Sequence, residues 1–138
     1  MAYPSYASLR WFRFLIGLGF ALNLLFILPG FFAPRWLETM GDFGITNTPH
    51  WLQNVSLLLA IVTALYIPVI RDPFRYLFCS VLVVAGRFSA GVLFIFGVWF
   101  MDYPEGMFIL ASADIVLSLA QALALRGALR DGDPRVEW

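Results

Sequence analysis

Four apolar runs, each about the 20 residues that a helix needs to cross a hydrocarbon layer, occupy most of this chain. They cover residues 14–33, 51–70, 74–100 and 107–125. In lipid, a run of this length can satisfy its backbone only by coiling, because an unpaired N–H or C=O finds no water there. The reading is an all-α integral membrane protein, an antiparallel four-helix bundle in a single domain. With 138 residues in total, four such spans leave no room for a soluble catalytic domain. Composition agrees, since 61% of the residues are hydrophobic and only 13% are charged, a balance foreign to soluble domains.

The pattern predicts helices over about 11–33, 50–70, 73–100 and 105–127, with an outer loop at 34–50 and a cytoplasmic tail at 128–138. The first run is too long for a signal-peptide core and lacks an A-x-A cleavage site, so it reads as a retained helix. An even number of spans puts both termini and the second connection on one side. That side carries Arg10, Arg13, Arg71, Arg75, Arg126, Arg130 and Arg135, whereas the other carries Arg35 against Glu38, Asp42, Asp102 and Glu105. Basic residues are retained on the cytoplasmic side, so both termini are expected to be cytoplasmic. Trp36, Trp51, Trp99 and Tyr103 make an outer aromatic belt, with Trp11, Tyr66 and Tyr76 toward the inner face. Pro29 and Pro68 sit where a kink or a termination is the ordinary reading.

Arg87 and Asp114 each fall near the middle of a run. A charge there is costly in lipid and normally faces the protein interior, where it finds a partner. A helical rise of about 1.5 Å per residue puts Asn23 ~15 Å in from Arg13, Arg87 ~21 Å from either Asp72 or Met101, and Asp114 ~14 Å in from Glu105. All three lie at similar depth, so an Arg87–Asp114 ion pair is expected, with hydrogen bonds from Asn23 and from Ser56 or Thr63. Polar and small residues also recur at helical spacing: Asp114, Ser118 and Gln121 on one helix; Gln53, Ser56, Ala60 and Thr63 on another; Gly19, Asn23, Ile27 and Gly30 on a third. These stripes would face a common interior. The cluster can be read as a structural pin between helices or as the polar end of a pocket for a quinone or lipid. Gly17 with Ala21, and Gly86 with Ala90, are small-xxx-small pairs of the kind that permit close helix contact.

The outer loop is not simply polar, because Trp36, Leu37, Met40, Phe43 and Ile45 are spread through it. It is expected to lie on the bundle or in the headgroup region. As a docking surface for another subunit, it would use Trp36 and Phe43. The polar tail ending in Trp138 should fray unless a partner or the chain's own cytoplasmic face holds it.

Much chemistry has no residues to carry it. His50 and Cys79 are the only histidine and cysteine, so the chain has no internal disulfide, no thiol redox pair and no bis-histidine haem. Phosphate loops, H-E-x-x-H and nucleophile elbows are missing as well, so no catalytic residues are assigned and no covalent or metal cofactor is expected. A net charge of zero argues against nucleic acid as a partner. Four helices without an internal repeat would have to oligomerise to build a transport pathway.

The segment Arg71-Asp72-Pro73 with Arg75-Tyr76, the mid-helix Arg87, and Ala113-Asp114-Ile115-Val116 resemble the small four-helix DoxX-like membrane proteins of bacteria, as do Pro29-Gly30 and Ala33-Pro34-Arg35-Trp36. The resemblance implies residence in the bacterial inner membrane and a link to quinone-using redox complexes or to the maturation of redox enzymes. It transfers Arg87 and Asp114 as marked positions and no catalytic residue. The expected role is a non-catalytic accessory subunit that packs against other integral membrane subunits and lipids, in a respiratory or photosynthetic assembly. The alternative is a stand-alone protein that binds a quinone or lipid between its helices.

Overall fold

A computed structural model of the chain describes residues 7–44 and 50–132, and the regular structure among them is all helical. Four helical rods are long and apolar enough to cross a membrane. The first is α1 (Ala7–Phe32). A short helix, α2 (Pro34–Gly41), stands in the segment expected as loop. The second rod is made of α3 (His50–Ala64) and α4 (Tyr66–Arg71), the third is α5 (Leu77–Phe100), and the fourth is α6 (Gly106–Asp131).

Local chemistry explains the boundaries. Pro34 opens α2 in its first turn, where a missing N–H costs no helical hydrogen bond. Pro68 breaks the second rod, because it has no N–H for the carbonyl of Ala64 and its ring crowds that carbonyl. Helix α3 accordingly ends at Ala64, and the Leu65 N–H turns back to the Val62 carbonyl at 3.1 Å. Pro29, in contrast, lies in the last turn of α1, and the helix runs through it to Phe32. The third rod starts at Leu77 rather than at 73 because the preceding residues form a turn. In that turn the Asp72 carboxylate accepts the Arg75 N–H at 3.0 Å, and the Ser80 hydroxyl donates to the Pro73 carbonyl at 3.1 Å.

Residues 128–131, expected in the tail, continue α6. The Ser8 hydroxyl donates to the Asp131 carboxylate at 2.8 Å and ties the first helix to the last. Trp138 and the rest of the tail lie outside the described residues, as does Ile45.

Packing sets the shape of the interior. Helix α1 is the central post, against α3, α4 and α6, while α5 lies along α6. Helix α4 also packs on α5, but α3 scarcely touches it. The ring of rods is therefore closed at the end that carries Ala7 and Asp131 and open between α3 and α5. At the closed end Phe12, Ile16, Val69, Val83 and Leu125 form the apolar core together with the ring of Tyr66.

Polarity is arranged inside out. Asn23, Ser56, Thr63, Ser80, Arg87, Ser118 and Gln121 are buried, whereas large apolar side chains such as Leu25, Phe78, Ile109 and Leu123 are exposed. The Gly17/Ala21 and Gly86/Ala90 pairs do not mark contacts between the rods: a methyl group added at Gly17 or Gly86 would meet nothing within 4 Å.

Candidate functional site

Arg87 anchors the site from the middle of α5, on the face that also buries Ser80, Val83 and Gly91. Arg87 is 8% exposed, and its guanidinium makes bonds to three other rods. Nη1 donates to the Asp114 carboxylate of α6 at 2.5 Å. Nη2 donates to Asn23 Oδ1 of α1 at 2.6 Å, to the Tyr66 hydroxyl of α4 at 3.1 Å and to the Gly19 carbonyl at 3.3 Å, and Nε reaches the same hydroxyl at 3.3 Å. The Asn23 amide in turn donates to the Thr63 hydroxyl of α3 at 2.9 Å. A buried cation is tolerated only when it is paired and hydrogen-bonded, and here Asp114 pairs it and each of its three nitrogens has an acceptor.

Two glycines make this geometry possible. At Gly19 a methyl group would stand 3.3 Å from Arg87 Nη2 and 3.1 Å from Gln121 Nε2, so a side chain there would crowd the guanidinium. At Gly91, one turn from Arg87, it would stand 2.7 Å from Ile115 Cγ1 and 3.0 Å from the Ala111 carbonyl. That close approach holds α5 against α6 and sets the distance over which Arg87 meets Asp114.

Not every residue of the polar stripes joins the network. Arg87, Asp114, Asn23 and Thr63 do. The Ser118 hydroxyl donates to the Ile115 carbonyl of its own helix at 2.9 Å, and Gln121 donates to the Leu15 carbonyl at 3.0 Å while its side-chain oxygen is buried without a partner. Ser56 is buried against Gly30, also without a hydrogen-bond partner. Of the outer-loop residues, Trp36 is exposed and Phe43 packs on Phe26, ring centroids 5.9 Å apart. His50 pairs with Gln53 at 3.2 Å at the start of α3.

Tyr66 was not among the site residues expected from sequence, which put it in the inner aromatic belt. It is 3% exposed, and its hydroxyl accepts from Arg87. The signal was present: Tyr66 follows Thr63 by three residues and so extends the stripe of Ser56, Ala60 and Thr63 by one step.

The network forms the floor of a cleft of about 390 Å³. Val55, Leu58, Leu59 and Val62 of α3 make one wall, and Leu82, Gly86 and Ala90 of α5 make the other. Asn23, Tyr66, Arg87 and Asp114 supply its polar groups. The cleft opens sideways where α3 and α5 diverge, and Leu58, Val62 and Leu82 are exposed on its rim. Asp114 is the more accessible member of the ion pair, with its side chain 22% exposed against 6% for Arg87. Among the described residues, no three His, Cys, Asp or Glu side chains gather as metal ligands would. No family model matches the chain, and no curated protein or solved structure does so either.

Proposed function

We propose that this chain is an integral membrane protein that receives the polar head of a quinone or lipid in the cleft between α3 and α5. One observation carries the reading: a connected polar network lies at the bottom of an otherwise apolar cleft that opens to the side of the bundle. In a bilayer such an opening faces acyl chains, so an apolar ligand can enter without crossing water. Pockets of this kind take their orientation from a few placed polar groups and their area from apolar walls.

The four long rods and the apolar exterior support membrane residence, and the distribution of arginine supports cytoplasmic termini. The resemblance to DoxX-like proteins supports the bacterial inner membrane. The exposed Trp36 on α2 favours a second reading, that of an accessory subunit held by a larger membrane complex, with Trp36 toward the partner.

Purification in mild detergent tests the two readings together. Wild-type protein should retain an apolar compound that Gly86→Leu, which adds bulk to the cleft wall, no longer retains. Recovery of an empty chain in stoichiometric complex with other membrane proteins would reject the ligand reading in favour of the subunit one.

A further inference from the structure

The polar floor contains only two charges, and they neutralise each other. Among the described residues, no other charged side chain lines the cleft. Arg87 directs its Nη1 at Asp114 and its Nη2 and Nε at Asn23, Gly19 and Tyr66, so each of its nitrogens already has a partner within the protein. An anionic head would have to share Arg87 with the Asp114 carboxylate, and a cationic head would have to share Asp114 with Arg87. Either leaves one charge at the floor without a counter-charge of its own.

The floor leaves at least one donor and one acceptor unspent. The Tyr66 oxygen accepts from Arg87 twice, which leaves its own proton for another acceptor. Asp114 binds Arg87 through Oδ1, which leaves Oδ2 outside that bond on a side chain that is 22% exposed. A group that satisfies both must accept from the phenol and donate to the carboxylate. A hydroxyl does this with a single oxygen, whereas a carbonyl or an ether oxygen would leave Asp114 Oδ2 unmet.

From these constraints, and resting on the ligand-binding reading above, we infer that the cleft selects an uncharged lipid bearing a free hydroxyl. The hydroxyl sits between Tyr66 and Asp114, and an apolar chain leaves along Leu58, Val62 and Leu82. A quinol would satisfy the floor better than the corresponding quinone.

The test uses one chain with four heads. The full-length protein is reconstituted in phosphatidylcholine nanodiscs containing equal mole fractions of oleyl alcohol, oleyl methyl ether, oleate and oleylamine, and the retained molecules are read by native mass spectrometry. Oleyl alcohol should exceed the ether by about ten-fold, the worth of one hydrogen bond to a charged acceptor, and should exceed both ions by at least as much. Gly86→Leu should lose all four. Preferential retention of oleate, oleylamine or the ether, abolished by Gly86→Leu, would overturn the hydroxyl assignment and leave the cleft as the binding site. Retention of none, or retention indifferent to Gly86→Leu, would overturn the assignment and the ligand-binding reading together.

Discussion

The second rod meets the third in two different ways. Below the break at Leu65, α4 packs on α5, and Val69 and Val83 are buried in one apolar core. Above the break, α3 and α5 part, and the space between them is the cleft. The same two rods thus make a core at one end and a cleft at the other. The change falls at the break between α3 and α4, where Pro68 has no N–H for the Ala64 carbonyl.

The ion pair lies at the junction of these two regions, so its loss has the largest effect. Arg87→Leu strands the Asp114 carboxylate and should cost about 3–5 kcal/mol, enough to abolish a monodisperse folded species in detergent. Arg87→Leu combined with Asp114→Leu removes both charges and should recover most of that loss. Thermal unfolding of the two variants checks this. A double variant no more stable than the single one would show that Asn23 and Tyr66, now without their cation, matter more than the charges.

Tyr66→Phe comes next, because Arg87 loses the acceptor of two of its N–H bonds while the ring stays in the core. The expected cost is about 1–3 kcal/mol. An unchanged unfolding temperature would mean that other groups already satisfy those donors.

The depth of Arg87, Asp114 and Asn23 was legible in the sequence because helical rise converts residue number to height with little error. Thr63 was legible because period 3.6 puts it on one face with Ser56. That face, however, is straight only to Ala64. Ser56 carries the same period but lies above the network, since the height of a stripe says nothing of where a neighbouring helix presents its cation. Tyr66 was misplaced because its nearness to Arg71 fits an interfacial belt as well as a buried stripe. The cleft had no signature in the chain. It depends on which rods pack together, and all four rods have apolar faces that could serve. The pairs Gly17/Ala21 and Gly86/Ala90 illustrate the difficulty, since small residues permit close contact but do not show that another helix is there.

Two glycines five residues apart on α5 turn the comparison into opposite signs. Gly91 faces α6, and a methyl group there would press on Ile115 Cγ1 at 2.7 Å and on the Ala111 carbonyl at 3.0 Å. The carbonyl belongs to a helix backbone and cannot swing away, so Gly91→Ala should destabilise by about 1–3 kcal/mol. Gly86 faces the cleft with nothing within 4 Å, so a methyl group displaces no atom of the protein. Alanine also restricts the unfolded chain and suits a helix interior better than glycine, so Gly86→Ala should stabilise by about 0.5–1 kcal/mol. This is the smallest effect of the set, and its sign decides the point. Unfolding temperatures of both variants in one detergent provide the measurement. If Gly86→Ala is destabilised as Gly91→Ala is, then α3 or a tightly held occupant already fills the space beside Gly86. The cleft would then be closed in the resting protein, and a ligand would have to part α3 from α5 before its head could reach Asp114.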